Sequence, residues 1–469
     1  MTIDPALKPA DLGKSLDRVF SLAAAKCRLI DRTWDVSKGT PVFTVEGQYT
    51  TRGWTEWTEG FMYGNAILTF DVTDDRKLLE SARRKVVEKM PGHVTHIGVH
   101  DHGFNNLSTF GNLRRLMREG KIKSNEWENH YYELAIKASG AVQAARWQGT
   151  HPAKDAAGLK RTANATALGY VYSFNGPHSL FVDTMRTIRI LGVAWQLGHK
   201  LMHENDKAAD LLKRSVLHGL ATNQYIVFHG DSPHTYDVRG RTAHEAVFNR
   251  NDGVFRCRSS QQGYSPFSTW TRGLAWAMLG YAEELEFFKT IPDAAFRASV
   301  GLSKKDVVSA YEQAARDTCD HYIDDCAALD GIVYWDDGAP GIAKLQGWRD
   351  READPYNDHE PVDASASAIA AQGLVRLGNY LGSKGKRYTQ AGLTVARRLM
   401  EEPYLSTSAK HQGLLLHSVY HRPNGWDHVP KGRKVPCGES SMWGDYHLLE
   451  LSVLLKRMSE GSYLTFFDA

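Results

Sequence analysis

A carboxylate that opens an apolar run is the first place in this sequence where chemistry can be read. Asp183 stands in Phe181-Val-Asp-Thr-Met-Arg-Thr187, and Ile190-Leu-Gly-Val-Ala-Trp195 follows. As a helix cap it would be held by backbone amides and the helix dipole. Turned into an apolar lumen it would be desolvated, its pKa would rise, and it would carry a proton at neutral pH. A second acid, Asp101, lies in His100-Asp-His-Gly-Phe104. Asp beside His suits a hydroxyl-binding carboxylate or a proton carrier, and a solvated turn is the plain alternative.

Around these acids the sequence supplies flat faces and a planar cation. Gln262-Gly-Tyr264 is followed by Ser268-Thr-Trp-Thr-Arg-Gly-Leu-Ala-Trp276, which puts Arg272 and Trp276 one helical turn apart. Arg272 offers a fork of donors that matches a carboxylate, with a structural salt bridge as the alternative. Trp270 and Trp276 offer faces on which a sugar ring can lie. In Trp57-Thr-Glu-Gly-Phe61 the two aromatics share one helix face, either as core or as a cavity wall. His93, His96, His100 and His102 lie close together, but no zinc-type spacing accompanies them. The Trp443-Gly-Asp445-Tyr446 stretch reads as packing at the start of the last helix. Nucleophile elbows, P-loops and dinucleotide glycine motifs are absent.

Composition narrows the setting. The 469 residues carry 57 Lys+Arg against 54 Asp+Glu, a net charge of +3, and no basic stripe, so nucleic-acid binding is not expected. With 24% charged and 42% hydrophobic residues, disorder is not expected either. The chain has 12 Trp, 20 Tyr and 20 His, an aromatic excess that suits stacking on sugars. The five cysteines form no C-x-x-C pair, and no apolar stretch is long enough for a membrane span. The start has no basic segment followed by an apolar one, so a soluble cytoplasmic protein is expected, with residues 1–12 as a flexible N-terminus.

The elements that must position these groups are helical. Patterns of helical period cover Lys14–Thr33, Trp57–Phe70, Asp75–Met90, Asn105–Arg118, Glu126–Gln148 and Asp183–Leu201. They continue over Asp206–Thr222, Ser268–Phe288, Lys304–Asp325, Asp363–Leu381, Lys386–Glu401 and Ser440–Met458, with little strand alternation between. Helices rich in small residues alternate with charged amphipathic ones, a weak internal repeat. That alternation fits inner and outer rings and predicts an all-α (α/α)6 toroid, one catalytic domain over 1–469. An open solenoid or two bundles are the alternatives. Long aromatic and histidine-rich segments at Gln224–Tyr264, Ala327–Pro361 and Glu402–Glu439 are expected to rim one mouth.

The motifs together are similar to a known family. QGY-x-x-x-S-x-W-x-R-G-x-A-W, W-T-x-G-F, H-D-x-G-F and a terminal W-G-D-Y, in this order over nearly the whole chain, resemble the unsaturated glucuronyl hydrolases of glycoside hydrolase family 88. The resemblance implies an (α/α)6 barrel and no metal or organic cofactor. It implies removal of a 4,5-unsaturated uronic acid from the nonreducing end of lyase-generated oligosaccharides. A proton goes to C4, water goes to C5, and the resulting hemiketal collapses. On this resemblance Asp183 is the proton donor and Asp101 the second acidic residue, with His100 beside it. His244 is the loop histidine near the double bond, Gln262 the glutamine of QGY, and Arg272 the arginine near the uronate carboxylate. Trp57, Trp270 and Trp276 form the aromatic wall, joined by Phe61.

The sequence departs from the family at Ser173-Phe174, at Thr184-Met-Arg-Thr187, where Arg186 would add a cation near the mouth, and at Ser265-Pro-Phe267. The Ser-x-x-Ser-x-Lys run with which some relatives read sulfate has no match. His421-Arg-Pro-Asn-Gly-Trp426 and Lys431-Gly-Arg-Lys434 stand there instead. The alternatives kept open are an unsaturated galacturonyl or rhamnogalacturonyl hydrolase on the same fold, a metal-dependent carbohydrate hydrolase or lyase using the four histidines, and a sugar-binding module without catalysis.

Overall fold

The computed structural model describes residues 1–53, 56–151 and 168–468. Among them sixteen α-helices alternate between two layers. Outer α1 (Gly13–Thr33) leads to inner α2 (Glu59–Thr73). Outer α3 (Arg76–Lys89) and the single turn α4 (Pro91–Val94) lead to inner α5 (His102–Asn106) and α6 (Asn112–Arg118), joined through a π-turn at Leu107–Gly111. Outer α7 (Glu126–Ala145) precedes inner α8 (Thr184–Thr187) and α9 (Arg189–Gln196). Outer α10 (Leu211–Tyr225) precedes inner α11 (Thr271–Lys289). The short α12 (Asp293–Val300) and outer α13 (Lys304–His321) precede inner α14 (Ala364–Leu381), and outer α15 (Lys386–Leu399) precedes inner α16 (Met442–Ser459).

The inner layer closes on itself. α2 packs on α5, α5 on α8, α8 on α11, α11 on α14, α14 on α16, and α16 returns to α2. This is the (α/α)6 toroid. Small residues make the close contacts possible: a Cβ at Gly103 would strike the Thr187 carbonyl, and one at Gly280 the Met185 carbonyl. Both seams need bare backbone. The outer helices are amphipathic, burying one stripe and leaving the other to water; α15 buries Leu393, Val395 and Leu399.

The inner helices start at one end of the ring, where Trp57, Asp101, Asp183 and Arg272 lie, and finish at the other. The far end is plugged. Arg186 pairs with Glu283 and, at 2.9 Å, with Glu450; Arg376 pairs with Glu286 at 2.7 Å. Arg186 therefore does not add charge at the mouth as expected, because the inner face of α8 turns it into the lumen, fully buried. Below this network the C-terminal segment crosses the ring. Arg376 donates to the Leu464 carbonyl at 3.1 Å, Phe467 stacks on Phe287 at 4.7 Å, and Asp468 meets Arg114 at 3.1 Å.

Several boundaries differ from the expected ones for local reasons. The helical run at 183–201 breaks into α8 and α9, then turns at Gly198 with φ 75° and pairs Leu201–Met202 with Ala208–Ala209. α10 begins only at Leu211 because Asp210 caps it, accepting the Lys213 N–H at 3.0 Å. The expected helix over Glu126–Gln148 stops at Ala145 and gives way to a strand at Trp147–Gly149, whereas the one over Lys304–Asp325 is found, its last turn (Tyr322–Cys326) being a π-turn. A three-stranded antiparallel sheet (Ser179–Phe181, Glu245–Phe248, Phe255–Ser259) stands where little strand was read. Residues 1–12, read as a flexible start, lie against the ring. The Met1 ammonium donates to Ile323 O at 2.9 Å, and Arg397 pairs with Asp4 at 2.8 Å. Among the described residues no helix is long and apolar enough to cross a membrane.

Candidate active site

A cleft of about 640 Å³ opens at the end where the inner helices begin. Two of the three long segments contribute to its lining, Gln261 and Gln262 from the first and Tyr420, His421, Asn424 and Trp426 from the third. The middle segment braces the wall from behind. Asp336 accepts the Tyr264 N–H at 2.8 Å, and Trp335 donates its indole N–H to Glu360 at 2.8 Å.

Asp183 sits on the floor. It immediately precedes α8, yet its side chain caps nothing, and its Oδ1 has no hydrogen-bond partner among the described residues. Burial pushes its carboxyl up to about 7; the Asp101 charge adds to the rise and the Arg272 guanidinium opposes it. At neutral pH this carboxyl is therefore protonated in about half of the molecules, and Oδ1 is unengaged.

The small sheet places His244 beside it. Phe181 pairs with Glu245 across the antiparallel ladder, and the Val182 N–H donates to the His244 carbonyl at 3.0 Å. The next step of the ladder sets His244 opposite Val182, beside Asp183, with Nε2 4.0 Å from Asp183 Oδ1. The ring is packed by Phe181 at 4.3 Å and Trp270 at 4.9 Å. The Gln261 N–H donates to Nδ1 at 2.9 Å, so the proton of the neutral ring resides on Nε2. Burial, with the charges of His421 and Arg272, holds the imidazole well below its usual pKa. A neutral Nε2–H donor is therefore aimed at the carboxyl.

Asp101 precedes α5 without capping it and lines the same cleft; burial raises it to about 7. His100 Nε2 lies 3.8 Å from Asp101, and neither ring nitrogen has a hydrogen-bond partner among the described residues. Burial drives His100 down to about 3, so it is a neutral wall residue, flanked by Phe174 and Phe181.

Arg272 lines the cleft, but its fork is engaged within the protein. Nη1 donates to Asp363 at 3.1 Å and to the Val419 carbonyl; Nη2 donates to Gln262 Oε1 at 2.9 Å and to the Tyr420 carbonyl at 2.7 Å. The guanidinium lies between Trp270 at 4.8 Å and Trp443 at 5.0 Å. Asp363 also caps α14 through Ser365 N at 3.0 Å, so one ion pair locks two inner helices and the third long segment. Gln262 lies between Arg272 and the cleft. With Oε1 fixed by Arg272, its amide nitrogen is the donor left for the cleft.

Trp57, Trp270 and Trp276 line the cleft, with Phe104 between Trp57 at 5.5 Å and Trp276 at 4.8 Å. Phe61 is fully buried behind Trp57 and does not reach the cavity, because its position on α2 points toward Tyr446 and His447. Asp445 accepts the Tyr49 O–H at 2.7 Å and the Leu415 N–H at 2.8 Å, and so joins the β-hairpin of Pro41–Val45 and Gln48–Thr51 to the last helix.

The four histidines do not converge. His93 bonds Glu59 at 2.8 Å, and His102 bonds Ser139 at 2.7 Å and the His96 carbonyl. Among the described residues the group close enough to share an ion is His321, Cys326 and Asp337, outside the cleft lining. There His321 is already bonded to Asp325 and Thr269, both at 2.9 Å.

Sequence reasoning missed several lining residues: Arg52, Glu56, Tyr420, His421, Asn424 and Trp426. Glu56 directly precedes the Trp57 motif, and burial with the nearby Asp101 charge raises it to about 7. The signal for His421, Asn424 and Trp426 was the loop His421–Trp426, noted without a role, whereas no motif marked Arg52 or Tyr420.

No family model matches the chain. It is 24% identical over 396 residues to an unsaturated glucuronyl hydrolase of Formosa agariphila, covering 84% of this chain and 78% of that one. It is 23% identical over 434 residues to an unsaturated glucuronyl hydrolase of Bacillus sp. strain GL1, covering 91% and 92%. Among solved structures it is similar to an unsaturated glucuronyl hydrolase specific for heparin. The TM-score is 0.67 at 18% identity, with 95% of this chain and 97% of that one covered.

Proposed function

We propose that this chain is an unsaturated glucuronyl hydrolase, removing a 4,5-unsaturated uronic acid from the nonreducing end of lyase-generated oligosaccharides. The observation that carries the reading is Asp183: a buried, unengaged carboxyl, protonated near neutrality, on the floor of an aromatic cleft and facing a neutral His244 donor.

A vinyl ether is electron-rich and needs a proton donor rather than a strong nucleophile. Asp183 gives its proton to C4, and positive charge develops at C5 and the ring oxygen. The carboxylate so formed stabilises that charge, while His244 Nε2–H is placed to stabilise the carboxylate. Water then adds at C5 and returns a proton to Asp183. The hemiketal opens to a ketone and releases the next sugar. Protons balance, and the acid is restored in each cycle. Asp101 holds ring hydroxyls and raises Asp183, and Gln262 offers an amide to the uronate carboxylate. Trp57, Trp270 and Trp276 give the ring its flat walls. Because the acid acts on a double bond, the usual pairing of two carboxylates across a glycosidic oxygen does not apply.

The substrate loses its conjugated enol ether on hydration, so turnover is read as loss of ultraviolet absorbance from an unsaturated disaccharide. Retention of near wild-type rate by Asp183→Asn would remove the basis of the proposal. Digests of several polymers by their lyases supply the panel that names the preferred leaving sugar. All five cysteines are free thiols, which suits a reducing compartment such as the cytoplasm, the proposed location.

A further inference from the structure

Among the described residues two guanidiniums line the cleft, and one of them, Arg52, has donors to offer. Arg272 is buried with its fork engaged by Asp363, Gln262 and two carbonyls. Arg52 follows the β-hairpin Pro41–Thr51 at the rim and lies over Trp426, 4.5 Å from the ring centroid and 5.7 Å from that of Tyr420. Among the described residues no hydrogen bond or ion pair is found for it. The cation–π contact holds the guanidinium at the rim while leaving its N–H donors unengaged. The nearby basic run does not compete for this place. Arg433 lies over Tyr356 and Lys434 pairs with Asp358 at 3.0 Å, so neither lines the cleft.

Depth decides what Arg52 meets. Asp183 and Asp101 are buried at the floor, whereas Arg52 and Asn424 are exposed and Trp426 is 40% exposed. A uronate ring seated at Asp183 places its neighbour at the rim. We propose that Arg52, laid on Trp426 and flanked by His421 and Asn424, is a specificity residue that reads an anionic substituent, a sulfate ester or a carboxylate, on the sugar next to the unsaturated uronate. His421 and Asn424 keep that edge of the loop in place: the Asn424 N–H donates to His421 Nδ1 at 3.3 Å, and the His421 ring lies 4.9 Å from Trp426. The reading rests on the proposed function, since it names the leaving group of the same reaction.

The test compares kcat/KM on an unsaturated disaccharide with a neutral leaving sugar, on its sulfated counterpart, and on one whose leaving sugar carries a carboxylate. For the unmutated chain the charged members are preferred. In Arg52→Gln the charged-to-neutral ratio falls about tenfold, the scale of one charge-assisted hydrogen bond, and Arg52→Lys restores part of it. The sulfate and carboxylate arms tell which anion is read. An unchanged ratio overturns the proposal, and an equal fall on all three substrates would assign Arg52 to the uronate itself and overturn it too. If the unmutated chain turns over no member of the panel, the hydrolase reading fails separately. The subsite is then read by calorimetry with the same ligands, where equal affinity of the unmutated chain and Arg52→Gln for the sulfated disaccharide overturns it.

Discussion

Replacing His244 with Phe isolates the role given to its Nε2–H. The ring sits between Phe181 at 4.3 Å and Trp270 at 4.9 Å, a space that a phenyl ring fills without a cavity. What is lost is one acceptor for the Gln261 N–H and one donor toward Asp183. The 4.0 Å gap to Asp183 is too long for a hydrogen bond with the protonated acid, and it must close by roughly 1 Å once the carboxylate forms. The interaction therefore belongs to the charged state and lowers the barrier rather than aiding binding. A hydrogen bond to a charged group contributes about 1.5–3 kcal/mol, so kcat should fall about tenfold to a hundredfold with KM little changed. The sign of the pH effect also follows. A donor that favours the ionised carboxyl holds its pKa down, so removing it raises the pKa and moves the alkaline limb of kcat upward. Stopped assays of absorbance loss between pH 5 and 9, with a thermal melt to confirm the fold, measure both. A kcat within twofold of wild type, or a limb that moves down, would refute the assignment.

The remaining predictions concern the acid and its supports. Asp183→Asn should lower turnover by about three orders of magnitude or more while the melting temperature holds, because an amide of the same shape keeps the packing and removes the transferable proton. For the unmutated enzyme, kcat/KM should decline tenfold per pH unit above about 7, where Asp183 loses the proton it must donate; a profile still flat at pH 9 would contradict this. Arg272→Met leaves Asp363 buried without its partner and should cost about 3–5 kcal/mol in urea unfolding, whereas the pair exchanged together for apolar residues should cost less. Arg186→Met, one turn below Asp183, should destabilise less than Arg272→Met in the same urea unfolding, because Glu283 keeps Arg189 and Arg376 and Glu450 keeps Arg189.

The ring was legible because helices carry a 3.6-residue period and because Gly and Ala mark the faces that must approach closely. α11 and α14, with their small residues, show both signals. The short sheet was not legible, since three-residue strands such as Ser179–Phe181 are too brief to establish an alternation. Yet that sheet brings Asp183 to His244, which sequence alone linked only through family likeness. Arg272 shows a different limit. Its type and spacing announce a planar cation at the site, but whether its fork faces a ligand or Asp363 depends on a residue 91 positions away. Phe61 likewise shares a helix face with Trp57, and only the curvature of the ring sets one on the cavity and the other behind it. Arg52 and Trp426 come from opposite ends of the chain, and neither local pattern hints that they stack.

The plug formed by the C-terminal segment, with Phe467 on Phe287 and Asp468 on Arg114, closes one end of the toroid, so that among the described residues it forms a cup opening at the other end. Traffic through one doorway is last in, first out. The unsaturated ring enters first and sits deepest, so after cleavage it waits behind the saccharide it has just lost. The freed uronate is then the final product to depart, and it is the one expected to inhibit competitively as it accumulates.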